Sequence, residues 1–229
     1  MKVLNIGHRG AKGYVAENTL ASIKKAIELS ADGIEIDVFK CKSGELILTH
    51  DKKFDKILGQ SLNVEYLSYT ELSKLLINDK YPIPSLNDVL NVIEPPLFVN
   101  IELKGSNTAE ATAIIIQKYI QNKSWHIQHF LVSSFNWHEL ELFRSLDNEI
   151  PVGVLVDKYI GLDNAIDFGK KINAQAINPH YKLLDKYSIE KIKNNDFKTY
   201  TWTVNEEEDI KLMKKLKVDG IISDYPDRI

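Results

Sequence analysis

The stretch PVGVLVDKYIGLDNAIDFGKKINAQAIN, residues 151–178, contains the repeating unit that decides the fold. Residues 151–157 and 174–178 are rich in aliphatic side chains, which predicts two strands. Residues 163–172 between them are predicted to form a helix. Two strands joined by a single helix pair in parallel, because the helix carries the chain back to the starting end of the sheet. The stretch is therefore predicted to form one strand–helix–strand crossover.

The same alternation runs along the whole chain. Segment 45–51 is treated as a companion of the second strand, and the remaining predicted strands number eight. They span residues 3–7, 33–41, 96–105, 129–135, 151–157, 174–178, 199–205 and 219–224. Eight such units in a chain of 229 residues favour an α/β fold of the closed (β/α)₈ type, a TIM barrel, over an open doubly wound sheet. Residues 1–229 are predicted to form one domain, with a small insertion at about 52–95 after the second barrel strand, over the barrel mouth.

Composition excludes several classes of protein. A net charge of −3 argues against general nucleic-acid binding, which usually needs a basic surface. Cys41 is the only cysteine, so an internal disulfide is impossible and a reducing compartment is expected. No apolar run reaches the length of about 18 residues that a membrane span needs. The sequence therefore predicts a soluble cytoplasmic protein without stable membrane insertion, and a homodimer is compatible with it.

Charged residues occur inside two predicted core strands. In GIEIDV, Glu35 and Asp37 are two positions apart and so share one face of the strand, while the aliphatic residues share the other. NIELKG repeats the pattern with Glu102 and Lys104. In a barrel we expect the apolar faces to pack on the helices and the charged faces to point into the mouth. Three converging carboxylates require a cation, and their oxygen ligands favour Mg²⁺ or Ca²⁺.

An alternative is that these charges are ordinary ion pairs on edge strands. A single E-x-D segment does not decide between the two interpretations, since short motifs produce false positives. The combination with E-x-K and with histidines at strand ends favours a functional site.

Two histidines follow predicted strands at the end where barrel enzymes carry their chemistry. His8 lies in NIGHRGAKG, and His50 precedes Asp51 at the end of the short companion strand. Because histidine titrates near neutral pH, such a pair can serve as general base and general acid. Arg9 and Lys104 offer the positive charge that a phosphodiester needs.

The other histidines have simpler interpretations. His126, His129 and His138 lie at a helix end, in a loop and at a helix start, where backbone contacts are the usual role. His180, in NPHY after the sixth predicted strand, is left open between such a role and contact with a ligand.

Taken together, these segments resemble the glycerophosphodiester phosphodiesterase family. The resemblance covers essentially the whole chain, with the family's segments in the same order. The matching segments are His8-Arg9-Gly10, Glu17-Asn18-Thr19, Glu35-Ile36-Asp37, His50-Asp51, Ile101-Glu102-Leu103-Lys104, Trp202-Thr203-Val204-Asn205 and Asp219-Gly220-Ile221-Ile222-Ser223-Asp224. Ala16 and Ala11 depart from a usual proline and a common glycine, which bears on loop shape and substrate fit.

The resemblance implies a role for each matching side chain. One divalent ion would be held by Glu35, Asp37 and Glu102. His8 and His50 would be the acid/base pair, and Arg9 and Lys104 would contact the phosphate. Glu17 would support substrate or a neighbouring side chain, and Trp202 would line the glycerol or leaving-group side.

The resemblance implies metal-dependent hydrolysis of a small-molecule glycerophosphodiester to glycerol 3-phosphate and an alcohol. One alternative is an enzyme of the phospholipase C or D kind acting on lipid phosphodiesters, which would need an apolar rim. Candidates for that rim are Phe54, Ile57, Leu58, Leu62 and Tyr66. A second is a non-catalytic phosphodiester-binding barrel, which is disfavoured because no expected ligand or histidine is missing. A third, a metal-dependent amidohydrolase, is disfavoured by the lack of histidine-rich metal spacing.

Overall fold

Parallel strands close into a barrel in the computed structural model, which describes residues 2–55, 59, 61–122, 124–158 and 161–229. In chain order the described elements are β1 (Leu4–His8), α1 (Leu20–Glu28), β2 (Gly33–Lys40), β3 (Leu46–Leu48), α2 (Tyr69–Leu72), β4 (Leu76–Ile77), β5 (Tyr81–Pro82), α3 (Leu86–Val92), β6 (Phe98–Leu103), α4 (Ala109–Asn122), β7 (Phe130–Ser134), α5 (Trp137–Leu146), β8 (Val152–Val156), α6 (Leu162–Lys171), β9 (Ala176–Pro179), α7 (Lys186–Lys193), β10 (Lys198–Thr201), α8 (Glu207–Leu216) and β11 (Gly220–Ser223).

Strand pairing shows that the barrel is closed. The order around it is β1-β11-β10-β9-β8-β7-β6-β2, and β1 also pairs with β2. The first strand pairs in parallel with the last from Leu4↔Gly220 to Gly7↔Ser223, and its other edge reaches His8↔Glu35. β3 lies antiparallel on the end of β2. The predicted (β/α)₈ barrel is confirmed, as is the pairing of the short segment beside the second strand.

Alternation along the strands divides their side chains between two cores. The outward residues of β2, namely Ile34, Ile36 and Val38, are buried in the cluster that joins the sheet to the helices. Inward residues fill the barrel itself, with Ile6 and Tyr200 among them. Because each strand is apolar on its outer face, its inner face is free to carry polar groups at the mouth.

The region predicted as an insertion has two parts. Its first part forms α2 and the β4–β5 hairpin and has its own small core, which includes Phe54 and Leu72. Its last part is α3, which begins at the Ser85 cap and packs into the main core as the barrel helix between β2 and β6. Ile57 and Leu58 lie outside the described residues.

The segment NTLASIKKAIEL, residues 18–29, predicts a helix with Asn18 as its N-cap. The cap is instead Thr19, whose side chain accepts a hydrogen bond from the Ser22 backbone N–H. Asn18 has a φ of 55°, a left-handed conformation, and its side-chain amide donates a hydrogen bond to Asp37.

Within the described ranges, every helix is too short or too polar to cross a bilayer.

Candidate active site

Three carboxylates meet at the carboxyl ends of two neighbouring barrel strands. Glu35 and Asp37 project from β2 and Glu102 from β6, and one oxygen of each lies within 4.8 Å of the others. Asp37 and Glu102 are directly paired in the β2–β6 register, which explains why they meet. The structure thus brings together the three residues predicted as metal ligands, and the group could hold a metal ion.

Two of these carboxylates each leave one oxygen without a partner. Glu35 Oε2 accepts a hydrogen bond from the Arg9 backbone N–H at 3.0 Å, and Asn18 donates to Asp37 Oδ2 at 2.9 Å. Glu35 Oε1 and Asp37 Oδ1 are buried and have no hydrogen-bond partner among the described residues. A buried carboxylate oxygen without a donor is costly, so the donor set fits a hard divalent cation.

The electrostatics of the cluster also indicate a cation. Burial, with the charge of Asp37 next, raises the pKa of Glu102 to about 7. Burial and the same neighbour raise the pKa of Glu35 well above its ordinary value. Carboxyl groups that share a buried site do not readily ionise together, because their negative charges repel. A bound cation offsets that repulsion.

Two basic side chains already lie against the cluster. Arg9 Nε is 3.1 Å from Asp37 Oδ2, and Lys104 Nζ is 2.9 Å from Glu102 Oε1 and 3.9 Å from Asp37 Oδ1. Although burial acts to raise it, these two cations lower the pKa of Asp37 below its ordinary value. Asp37 is therefore the carboxylate that stays ionised.

The loop after β1 holds Arg9 in place. Arg9 has a φ of 50°, and Gly10 follows with a φ of 84°; a Cβ on Gly10 would lie 2.5 Å from the Ser22 backbone. Glu17 accepts from Arg9 Nη1 at 2.7 Å and pairs with Lys12 Nζ at 3.2 Å. Of the two roles predicted for Glu17, the structure shows contact with a neighbouring side chain.

The two predicted catalytic histidines lie at the barrel mouth. His8 Nδ1 is 2.6 Å from Asp224 Oδ1, and its Nε2 is 3.9 Å from Glu35 Oε2. His50 Nδ1 is 2.9 Å from Asp51 Oδ1. Burial is the main cause that lowers the pKa of both histidines below the usual value, so both favour the neutral form near neutral pH.

The rim formed by the later strands presents aromatic rings. Trp202 donates from Nε1 to the Asn178 carbonyl at 2.8 Å. Its ring meets those of Phe135 and His180 edge to face, with centroids 5.4 and 5.1 Å apart. Of the two roles left open for His180, the structure shows the backbone contact, because His180 Nδ1 accepts from the Lys182 backbone N–H at 3.3 Å.

Sequence reasoning missed three residues of the site. Asn18 holds Asp37 by donating to Oδ2 and by accepting from the Asp37 backbone N–H at 3.2 Å. Asp224 contacts His8, and Asn205 contacts Asp224. All three occur in segments that match the family's pattern, and Asp224 directly follows β11. A polar residue at the end of a strand was thus the available signal for Asp224, but not for Asn18, which lies just before α1.

An open cleft borders the site on the side of the insertion. Its volume is about 540 Å³, and it is lined by Arg9, Lys12, Ala16, Glu17, His50, Asp51, Ile77 and Asn78. A larger cleft of about 700 Å³ has Lys40, Lys42 and Glu139 in its wall and contains none of the predicted site residues. The smaller cleft therefore contains three of the predicted site residues, Arg9, Glu17 and His50.

Comparisons with known proteins show the family of the chain. A model of the glycerophosphoryl diester phosphodiesterase family matches residues 8–228. The glycerophosphodiester phosphodiesterase of Caldanaerobacter subterraneus subsp. tengcongensis is 33% identical, with 100% of this chain and 97% of the relative covered. That of Bacillus altitudinis is also 33% identical, with 96% and 94% covered.

A solved structure adds a bound product. The phosphodiesterase of Oleispira antarctica, in complex with the product sn-glycerol-3-phosphate, is 25% identical and superposes with a TM-score of 0.88. The match covers 98% of this chain and 94% of that one. The family match over nearly the whole chain confirms the resemblance seen in the sequence. The chain belongs to the glycerophosphoryl diester phosphodiesterase family.

Proposed function

We propose that the protein hydrolyses glycerophosphodiesters to glycerol 3-phosphate and an alcohol at the mouth of its barrel. The observation that carries the proposal is the meeting of three carboxylates, two histidines and two basic side chains at one end of the barrel. Family relatives named for this activity, and a structural neighbour with bound sn-glycerol-3-phosphate, support the same substrate class.

Glu35, Asp37 and Glu102 would hold one divalent ion, Mg²⁺ or Ca²⁺. The unpartnered oxygens of Glu35 and Asp37 and the raised pKa of Glu102 support this assignment. When bound, such an ion acts as a Lewis acid on the phosphoryl oxygens. Arg9 and Lys104, which lie against the carboxylates, would bind the phosphate and stabilise the charge that develops on it.

His8 and His50 would move the protons. One takes a proton from the nucleophile, which is water or the neighbouring hydroxyl of the substrate, and the other protonates the leaving alkoxide. Their lowered pKa values support the role of proton acceptor, because a neutral imidazole has a free lone pair. Glu17 would hold Arg9, and Trp202 would line the alcohol side of the site.

Turnover of a panel of glycerophosphodiesters, with and without a chelator, tests the proposal. The expected result is release of glycerol 3-phosphate that the chelator abolishes and added divalent ion restores. His8→Ala and His50→Ala should each lower turnover by roughly 10²–10⁴-fold, with an unchanged circular dichroism spectrum. No release of glycerol 3-phosphate from any member of the panel would refute the proposed activity.

The residues that would form an apolar rim for a lipid substrate do not form a common exposed patch in the described part of the insertion. Phe54 is fully buried and Leu62 is partly buried against the insertion's own core. Tyr66 is the exposed one, at 73%. A soluble diester therefore fits the site better than a bilayer, and absence of binding to lipid vesicles is the expected result.

A cytoplasmic location is part of the proposal. The single cysteine supports it, because Cys41 is a buried free thiol and disulfides are rare in the cytoplasm.

A further inference from the structure

We propose that Asp224, oriented by Asn205, is a positioning residue that fixes the proton of neutral His8 on Nδ1 and so presents the Nε2 lone pair to the site. The inference rests on the proposed function for its effect on turnover. Its structural part, the position of one proton, can be measured without any substrate.

The contact is short and uses the ring nitrogen of His8 that does not face Glu35. His8 Nδ1 and Asp224 Oδ1 are 2.6 Å apart, and both side chains are largely shielded from solvent. An ionised carboxylate only accepts hydrogen bonds, so neutral His8 must carry its proton on Nδ1. The other ring nitrogen, Nε2, then has a lone pair and faces the side of Glu35, 3.9 Å away.

Asn205 holds the Asp224 carboxylate in place by binding both its side chain and its backbone. Asn205 Oδ1 accepts hydrogen bonds from the Asp224 backbone N–H at 2.9 Å and from Ser223 Oγ at 3.1 Å. Because the backbone N–H can only donate, the oxygen of the Asn205 amide must face it. The amide nitrogen of Asn205 therefore faces Asp224 Oδ2 and donates to it at 2.8 Å.

The result is a chain of hydrogen bonds with a single allowed direction. A backbone N–H orients Asn205, Asn205 donates to one oxygen of Asp224, and His8 donates to the other. Gly13 adds a further support, since its N–H donates to the Asp224 carbonyl at 2.9 Å. The end of β11 is thus tied to the loop that follows His8. Asn205 holds the Asp224 carboxylate in place, and that carboxylate fixes the tautomer of His8.

The substitution Asp224→Asn should reverse the direction of the hydrogen bond to His8. Asn205 still presents N–H to this position, so the oxygen of the new amide must turn toward Asn205 and its nitrogen toward His8. His8 Nδ1 then has to accept, and the proton of the neutral ring moves to Nε2. Turnover should fall by roughly 10²–10⁴-fold, the range for losing general acid–base help, while KM changes little.

The double variant Asp224→Asn/Asn205→Ala separates this account from a merely structural one. Without the Asn205 donor, the amide at position 224 is free to turn its oxygen back toward His8. The double variant should therefore regain at least about tenfold of the turnover lost in Asp224→Asn, whereas two independent structural losses would add.

Asp227→Asn is the matched control. It makes the same chemical change three residues later, where Asp227 accepts from the Tyr14 hydroxyl at 2.8 Å and, among the described residues, forms no hydrogen bond with a site residue. Long-range ¹H–¹⁵N correlation spectra of selectively ¹⁵N-histidine-labelled protein report the tautomer of His8, and steady-state kinetics give kcat and KM on glycerophosphodiesters.

The expected pattern is Nδ1–H in the wild type and in Asp227→Asn, and Nε2–H in Asp224→Asn with reduced kcat. Retention of Nδ1–H in Asp224→Asn overturns the inference, as does a double variant no more active than Asp224→Asn. If wild-type protein cleaves no glycerophosphodiester, the proposed activity fails, and the NMR spectra alone decide the role of Asp224.

Discussion

The two sides of the barrel mouth differ in what they present to a ligand. The side formed by β1, β2 and β6 holds ionisable groups in contact, with Arg9 Nε 3.1 Å from Asp37 and Lys104 Nζ 2.9 Å from Glu102. The side formed by the ends of β7, β9 and β10 presents the rings of Phe135, His180 and Trp202. A phosphodiester has one anionic centre, the phosphate, between two alcohol groups. Under the proposed function, the charged side stabilises the reacting phosphate and the ring side determines which alcohol is accepted.

Among the changes that test this comparison, the largest effect should come from removing one charge on the charged side. Asp37→Asn keeps the shape of the side chain but removes the carboxylate that stays ionised. We expect turnover to fall by roughly 10³-fold, because a bound divalent ion supplies several kcal/mol of charge stabilisation. Isothermal titration with Mg²⁺ or Ca²⁺ measures the loss of ion affinity, and steady-state kinetics measure the loss of turnover.

Glu208→Gln is the control for that change. Glu208 is 89% exposed on α8, where it pairs with Lys211 at 3.6 Å, so its neutralisation should leave ion binding and turnover unchanged. An Asp37→Asn protein that keeps its ion-dependent turnover would show that the charged side does not act through this carboxylate.

The pKa of Glu102 predicts the next effect. Its folded-state pKa of about 7 lies above the ordinary value of 4.5. Its contribution to stability is therefore fully present below pH 4.5 and is lost as pH rises through about 7. Metal-free Glu102→Gln should become more stable than metal-free wild type above that pH, by on the order of 3 kcal/mol.

Urea unfolding of both metal-free proteins from about pH 5 to about pH 8 measures this difference. The comparison cancels His8 and His50, whose lowered pKa values act in the opposite direction in both proteins. Addition of divalent ion should stabilise the wild type more than the variant. A stability difference that does not change with pH would rule out the raised pKa.

A smaller effect is expected at Asn18, which supports the charged side without belonging to it. Asn18→Ala removes the donor to Asp37 Oδ2 and should weaken divalent-ion affinity by roughly 10–100-fold, as is usual for groups that orient metal ligands. Asn18→Gly removes the amide without straining the backbone, because glycine tolerates the φ of 55°. Equal loss in both variants indicates the amide, and normal affinity in Asn18→Gly would assign the effect to backbone strain.

The smallest effect should come from the ring side. Trp202→Ala removes the ring that contacts Phe135 and His180, and KM should rise by about tenfold, the size of a lost aromatic contact. Divalent-ion affinity should stay at the wild-type value. Trp202→Phe keeps an aromatic face, and its KM should lie between those of the wild type and Trp202→Ala. A loss of ion binding in either variant would show that the two sides are not independent.

The charged side was more predictable from the sequence than the contacts that hold it. Glu35, Asp37 and Glu102 follow the two-residue period of a strand, and parallel strands place their carboxyl ends at one edge. Those two rules suffice to bring the carboxylates and the histidines to one place. The closed barrel follows from a count of alternating strands and helices in the same way.

Contacts between distant segments could not be predicted by such rules. Asn18 has good N-cap chemistry, yet the need to reach Asp37 leaves the cap to Thr19. Asp224 is 216 positions from His8, and only closure of the barrel makes them neighbours. The sequence pattern places α3 in the insertion, because the β4–β5 hairpin interrupts the βαβ repeat before it. Its core residues nevertheless pack like those of the other barrel helices.

Pairing of the first strand with the last also has a consequence during synthesis. One edge of β1 is satisfied by β2 early, but its other edge pairs only with β11. At about 5–20 residues per second, the 216 positions between His8 and Asp224 take a ribosome roughly 10–40 s to make. For that interval β1 is an open sheet edge, which is liable to pair with other chains. The last strand both protects the nascent chain from aggregation and brings His8 its partner, so protection and a complete site arrive in one step.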